Sequence, residues 1–275
     1  MNTFLKASLC TALVMCLPLS AQAHRVWLLP SATVLSSDEA WVGVDAAVSN
    51  DIFHADHAPM RVDGVKITAP DGSSLTPQNA VTGKFRSVFD VQLPQKGTYK
   101  IAIASTGVMA TWKTPAGERR MWPGRGEKGN PADVEKNIPK DAKDIEISQF
   151  SRRLETFVTS GTPDDNVLKI TKQGLEMLPI THPNDLFAGE AAEFQFLIDG
   201  KPAEGVKIMV IPGGMRYRND QAAIELVTDK KGKVSITWPN AGMYWLSADY
   251  RDNKAKKPAT IRTGGYAATV EVLPE

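Results

Sequence analysis

The chain has 275 residues, with 32 Lys and Arg against 31 Asp and Glu, a formal net charge of +1. So even a balance leaves no basic footprint for nucleic acid or for an anionic membrane surface. The two cysteines are Cys10 and Cys16, and their position excludes more chemistry than their number.

Residues 1–23 read as a secretory signal peptide. Lys6 supplies the positive start, residues 7–19 form an apolar core, and Ala21-Gln22-Ala23 is an A-x-A cleavage box. The apolar core is shorter than the roughly 20 residues a spanning helix needs. A lipid-attachment reading of Leu13-Val14-Met15-Cys16 places Met15 where a small residue is wanted. Cleavage after Ala23 removes both cysteines, so the exported chain can form no disulfide, thiolate metal site or cysteine nucleophile. A periplasmic protein without membrane insertion is expected.

The following segments alternate in the β manner. In "WVGVDAAV" (41–48), Val42, Val44, Ala46 and Val48 share one face. "MRVDGVKITAP", "FRSVFDVQLP" and "GTYKIAIAST" continue the pattern between Gly, Pro, Asn and Asp turns. Residues 114–143 are charged and broken by Pro and Gly, which predicts a long excursion with a helical turn near 131–136. Residues 145–161 return to strand, and a second series of strands begins near Asn166. The motifs "LPQKGTY" (93–99) and "WPNAGMY" (238–244) echo one another, each placing a Pro before a Gly-x-Tyr. The fold class expected is all-β: two immunoglobulin-like or transthyretin-like sandwiches in tandem, over residues 24–165 and 166–275.

Only four histidines occur: His24, His54, His57 and His182. Cleavage after Ala23 would make His24 the first residue, so that its α-amine and Nδ1 could chelate one metal ion. An unperturbed amine titrates near 7.7–8.0 and an imidazole near 6.5, so both can give up a proton to a metal near neutral pH. In "SNDIFHADHAPM" (49–60), His54 and His57 lie three apart beside Asp51 and Asp56, in a loop closed by Pro59. That loop could bring one or two imidazoles to the chelate, with Asp51 or Asp56 as a ligand or an orienter. Nitrogen donors with a carboxylate suit Ni(II), Co(II), Cu(II) or Zn(II). His182, in "THPND", fits a turn or hinge better than a metal site. Trp27, Trp41, Trp112 and Trp122 could wall a site or simply pack. No phosphate loop, nucleophile elbow or acid/base carboxylate pair stands out.

"HRVWLLPS", "DIFHADH", "SRRLETFVTSG" and "GLEMLPITHPNDLFAGEAAEFQFLIDGKPAEGVKI" are similar to a bacterial periplasmic family of unknown function whose members accompany nickel and cobalt uptake systems. The resemblance implies a non-enzymatic metal-binding component that supplies a membrane transporter. His24 matches the family's amino-terminal histidine, and His54 and His57 its loop histidines, while Arg25 stands where the family carries an acidic residue. Two other readings stay open. One is a metal-free module binding an envelope protein or glycan; the other is a copper monooxygenase built on the amino-terminal histidine.

Overall fold

A computed structural model describes residues 24–275 apart from Arg125 and Lys128. The expected signal peptide and its cleavage box, at residues 1–23, lie outside the described residues. The alternating segments of the first half form β1 (Arg25–Pro30), β2 (Val34–Leu35), β3 (Ala40–Ser49), β4 (Ala58–Pro59), β5 (Lys66–Thr68), β6 (Ser74–Leu75), β7 (Gln78–Thr82), β8 (Ser87–Leu93) and the long β9 (Gly97–Lys113). The excursion holds β10 (Arg119–Trp122) and α1 (Val134–Asn137), after which β11 (Lys143–Ser160) runs back along β9. The second half forms β12 (Leu175–Pro179), β13 (Ala191–Ile198), β14 (Lys201–Pro202), β15 (Lys207–Pro212), β16 (Ile224–Val227), β17 (Lys233–Thr237), β18 (Gly242–Asp252) and β19 (Ile261–Val272).

These strands make three sheets. The first has the order β1-β3-β8-β7, with β4 beside β3. The second is ten-stranded, β16-β15-β18-β19-β11-β9-β5-β6, with β10 and β2 attached to β9 and β11. The third is β12-β13-β14, with β17 on β13. The ten-stranded sheet is drawn from both halves of the chain, joined by the parallel pairing of β11 with β19.

Successive strand residues point to opposite faces, and the two main cores divide by that rule. Leu154, Val158, Ile211, Trp245 and Ala267 join Trp27, Val42, Val44 and Phe89 of the first sheet in one core. Their sequence neighbours Phe157, Val210, Tyr244, Leu246 and Ala268 join Phe194, Phe196, Ile236 and Trp238 of the third sheet in the other. The fold is all-β, and its two sandwiches share the middle sheet. A fully buried Phe89 or Phe194 contributes roughly 1.5–3 kcal/mol on each side.

The echoed motifs fold alike. The Tyr99 hydroxyl donates to the Gln95 carbonyl (2.9 Å) and accepts from its N–H (2.7 Å). Tyr244 repeats both contacts with Asn240, at 2.7 and 3.2 Å. Each tyrosine closes the turn into its own strand, so the echo is a shared corner.

The excursion packs a small third core of its own. Val134 of α1, with Trp122 and Ile138, covers Val108, Ala110 and Trp112 of β9. Pro131 opens the expected helical turn, capped by the Asn130 side chain, which accepts from the Ala132 N–H.

Candidate functional site

β1 pairs with β3 so that Arg25 stands opposite Ser49. His24 is thereby held at the level where the chain leaves β3. Residues 50–57 then arch over the end of β3 and return as β4, with Ala58 opposite Val48. The arch is anchored from beneath. Ile52 is buried, and Phe53 meets the Trp27 ring edge-on at 5.7 Å. Phe53 takes a positive φ of 58°, a strained conformation for a bulky residue that its contacts hold in place. Trp27 Nε1 donates to Ser49 Oγ (2.7 Å), and Ser49 in turn donates to the Asp51 carbonyl.

The arch brings His57 onto His24. Their rings stack face to face, with centroids 3.7 Å apart and planes 11° from parallel. Both residues are exposed. The other candidates are placed differently. Asp56 accepts from the Asn50 N–H (2.9 Å) and side-chain amide (3.1 Å), which closes the arch at its base. Desolvation alone would raise its carboxyl pKa, but the Asn50 hydrogen bonds and nearby His54 hold it below the ordinary value. Asp51 faces Arg25 closely enough to act on its charge. His54 is exposed and is held through its backbone N–H to the Asp51 carbonyl (3.4 Å). Among the described residues, no three His, Asp or Glu side chains form a group able to hold a metal. The expected set of five therefore narrows to one meeting pair, His24 and His57.

The second half of the chain supplies a wall that sequence reasoning missed. The Arg25 guanidinium donates to Gln221 Oε1 (2.8 Å) and the Asn50 carbonyl (3.3 Å), and lies 5.7 Å from the centre of the Trp245 ring. Burial pulls the Arg25 pKa down and Asp51 opposes that pull, yet a guanidinium stays charged throughout. Trp245 Nε1 donates to the Val26 carbonyl (2.9 Å), which fixes β1 to β18. Gln221 is presented by a loop that Arg218 clasps, donating to the carbonyls of Pro212 (2.7 Å) and Gly213 (2.5 Å). In the sequence Arg25 stands out only by its charge, where an acidic residue is expected.

Of Trp27, Trp41, Trp112 and Trp122, Trp27 alone supports the arch; Trp112 and Trp122 belong to the excursion's core, and Trp41 is exposed. That core begins at Val108, seven residues along β9 from Ile101. In the shared sheet Ile101 is level with Trp245, through Thr156 and Thr269. At about 3.3 Å per residue, the excursion stands roughly 20 Å along the strand from that level. His182 is fully engaged elsewhere: its Nδ1 accepts from the Asn184 N–H (3.0 Å), and its Nε2 lies 3.1 Å from both Thr98 Oγ1 and the Asp164 carbonyl.

The molecule is thus an all-β sandwich protein with an exposed histidine pair at the mouth of its first sheet. The chain belongs to the family described as "Domain of unknown function (DUF4198)", whose model matches residues 21–252. No curated protein matches it. Among solved structures it is similar to the D0-D1 domain of intimin, at 11% identity and a TM-score of 0.22 over 90% of this chain and 97% of that one. The human OSCAR ligand-binding domain aligns at 9% identity and 0.20, over 91% and 100%. An Escherichia coli alpha-2-macroglobulin activated by porcine elastase aligns at 10% and 0.21, over 90% of this chain and 31% of that one. Scores this low transfer nothing to the chain. Among the described residues, no helix is long and apolar enough to cross a membrane.

Proposed function

We propose that the exported protein binds one divalent transition metal ion at its amino terminus, through the α-amine and Nδ1 of His24 and a ring nitrogen of His57. The observation that carries this reading is the 3.7 Å approach of the two rings. Two residues then provide three nitrogens, because cleavage would add an amine that no internal histidine possesses. An imidazole lone pair lies in the ring plane, so parallel rings do not aim at a common point. One or both must turn for the ion to join them. The ring of His57 is free to do so, being exposed on an arch whose fixed points are Ile52, Phe53 and Asp56. Asp56 and Asp51 then act on the site from outside it, the first by closing the arch and the second by facing Arg25.

Three nitrogens favour Cu(II) by intrinsic affinity, and suit Ni(II) and Co(II) as well. The family resemblance supports nickel or cobalt as cargo, delivered in the periplasm to a membrane transporter without a catalysed reaction. The test is calorimetric titration of the untagged protein beginning at His24 with Ni(II), Co(II) and Cu(II). One ion per chain is expected. A form with one extra residue ahead of His24 should lose at least about a hundredfold in affinity, roughly 2.7 kcal/mol. Equal binding by the extended form would refute the chelate.

A further inference from the structure

The middle sheet outruns the first sheet that covers it, and the uncovered part is shaped. Register carries the row Leu154, Ala267, Ser247 and Met209 across β11, β19, β18 and β15. Leu154 and Ala267 belong to the first core, and Met209 packs against it. Two residues further along each strand, on the same face, the row reads Arg152, Gly265, Asp249 and Lys207. The next row begins Phe150, Thr263 and Arg251. Together these residues line an open cleft of about 470 Å³, within the range of small-molecule sites.

The floor of the cleft is Gly265, and the fold does not demand glycine there. Its neighbour Gly264 is required, since a Cβ would stand 2.6 Å from that of Leu175. At Gly265 the nearest atom to such a Cβ is the Ser151 carbonyl oxygen, 4.0 Å away, and the backbone is not left-handed. Glycine weakens a strand interior, so its presence where a side chain would fit leaves the floor bare at a cost to the sheet.

The walls are charged but unevenly paired. Among the described residues Arg152 makes no carboxylate ion pair; its guanidinium lies 5.8 Å from the centre of the Phe150 ring. Arg251 is bound to Glu146 (2.8 Å). Asp249, across the bare strand from Arg152, is exposed, yet lost hydration raises its carboxyl pKa against the pull of Lys207. A free guanidinium offers two parallel donors to an oxyanion, while the carboxylate opposite offers acceptors to a hydroxyl or ammonium group. Adjacent strands lie about 4.8 Å apart, so the backbones of Arg152 and Asp249 stand roughly 10 Å from each other. That gap is bridged by a molecule of a few heavy atoms.

We infer that this trough binds a small molecule of the hydroxy- or amino-acid class, its oxyanion on Arg152 and its hydroxyl or ammonium group on Asp249. It is separate from the histidine pair and does not depend on a metal there.

The test is calorimetric titration of the exported chain with L-malate, L-glutamate and inorganic phosphate. Either carboxylate probe should bind more tightly than phosphate, which is too compact to span from Arg152 to Asp249. Arg152→Ala should weaken binding of that probe at least about tenfold, and Asp249→Asn should abolish its preference over phosphate. Gly265→Val should eliminate binding while leaving Tm unchanged or raised. Should Gly265→Val fail to fold, the exposed Asp249→Asn and Arg152→Ala variants decide. Binding no tighter than roughly 10 mM for both carboxylates, equal affinity for phosphate, or binding retained in a folded Gly265→Val protein overturns the inference.

Discussion

His182 and the His24–His57 pair show what separates a histidine committed to the fold from one left free. His182 has no lone pair to spare. Its Nδ1 accepts from Asn184, so its proton sits on Nε2, between the Asp164 carbonyl and Thr98. The network closes through Thr98 to Thr159 (3.0 Å), Thr159 to Asn184 (2.9 Å) and Asn184 to the Phe157 carbonyl (2.9 Å). It fastens residues 161–184 to the ends of β9 and β11. His24 and His57 have each other, and among the described residues their ring nitrogens take part in no hydrogen bond. One histidine is committed to the fold and two are held in reserve.

Removing one of the reserved rings attacks that contrast most strongly. His57→Ala should weaken metal binding by at least about a hundredfold, roughly 2.7 kcal/mol. Unfolding of the metal-free protein should shift by no more than about 0.5 kcal/mol, because the exposed ring supports nothing beneath it. Calorimetry and urea denaturation read the two effects separately. Large destabilisation with unchanged metal affinity would reverse the assignment of roles.

The complementary variant is His182→Ala. It leaves the Asn184 N–H and the Asp164 carbonyl without their partner, at a cost of about 1–3 kcal/mol in urea denaturation. Metal stoichiometry and affinity should stay as they were. A weaker effect, chiefly on affinity, is expected from Asp56→Ala. Without the Asn50 contacts the arch loosens and His57 meets His24 less often, a loss on the order of tenfold in the titration. His54→Ala, at an exposed position beside the pair, should change affinity less than about twofold; a loss as large as that of His57→Ala would make His54 a ligand.

The ease of reading these features in the sequence follows the distance over which their causes act. Alternation along β3 and β8 is local, so the strands and the all-β class could be recognised directly, as could the echo of the two Gly-x-Tyr motifs. The shared sheet could not. It rests on Ser148–Thr156 of β11 pairing with Ile261–Thr269 of β19, more than a hundred residues away, and a strand buried on both faces loses its period-two signature. The same holds at the site. His24, His54 and His57 could be picked out because they crowd the start of an otherwise histidine-poor chain. Which of them meet is decided by the positive φ of Phe53 and by Asn50 gripping Asp56, neither of which leaves a mark in spacing. The Arg25–Gln221 contact joins residues 196 apart. It depends on where β15 and β16 carry the loop between them.

Acid should take the site apart in two stages. A metal held as proposed should leave first, because amine and imidazole nitrogens bind one only when deprotonated, and ordinary imidazoles titrate near 6.5. Asp56 acts later. Its carboxyl lies below the ordinary value of 3.8 in the folded protein, so the stability it lends is fully present above that value. That stability is lost as the pH falls through the lower folded value, where protonation removes the acceptor that Asn50 requires. The contribution is small, since the carboxyl is largely hydrated. Proton NMR of the His57 ring, followed from pH 7 to 2 with and without Ni(II), should show metal release before pH 5 and a second, metal-independent shift below 3.8. In Asp56→Ala the second shift should vanish while the first remains. If the two collapse into one event, the arch opens with the metal, and Asp56 is part of the coordination rather than its support.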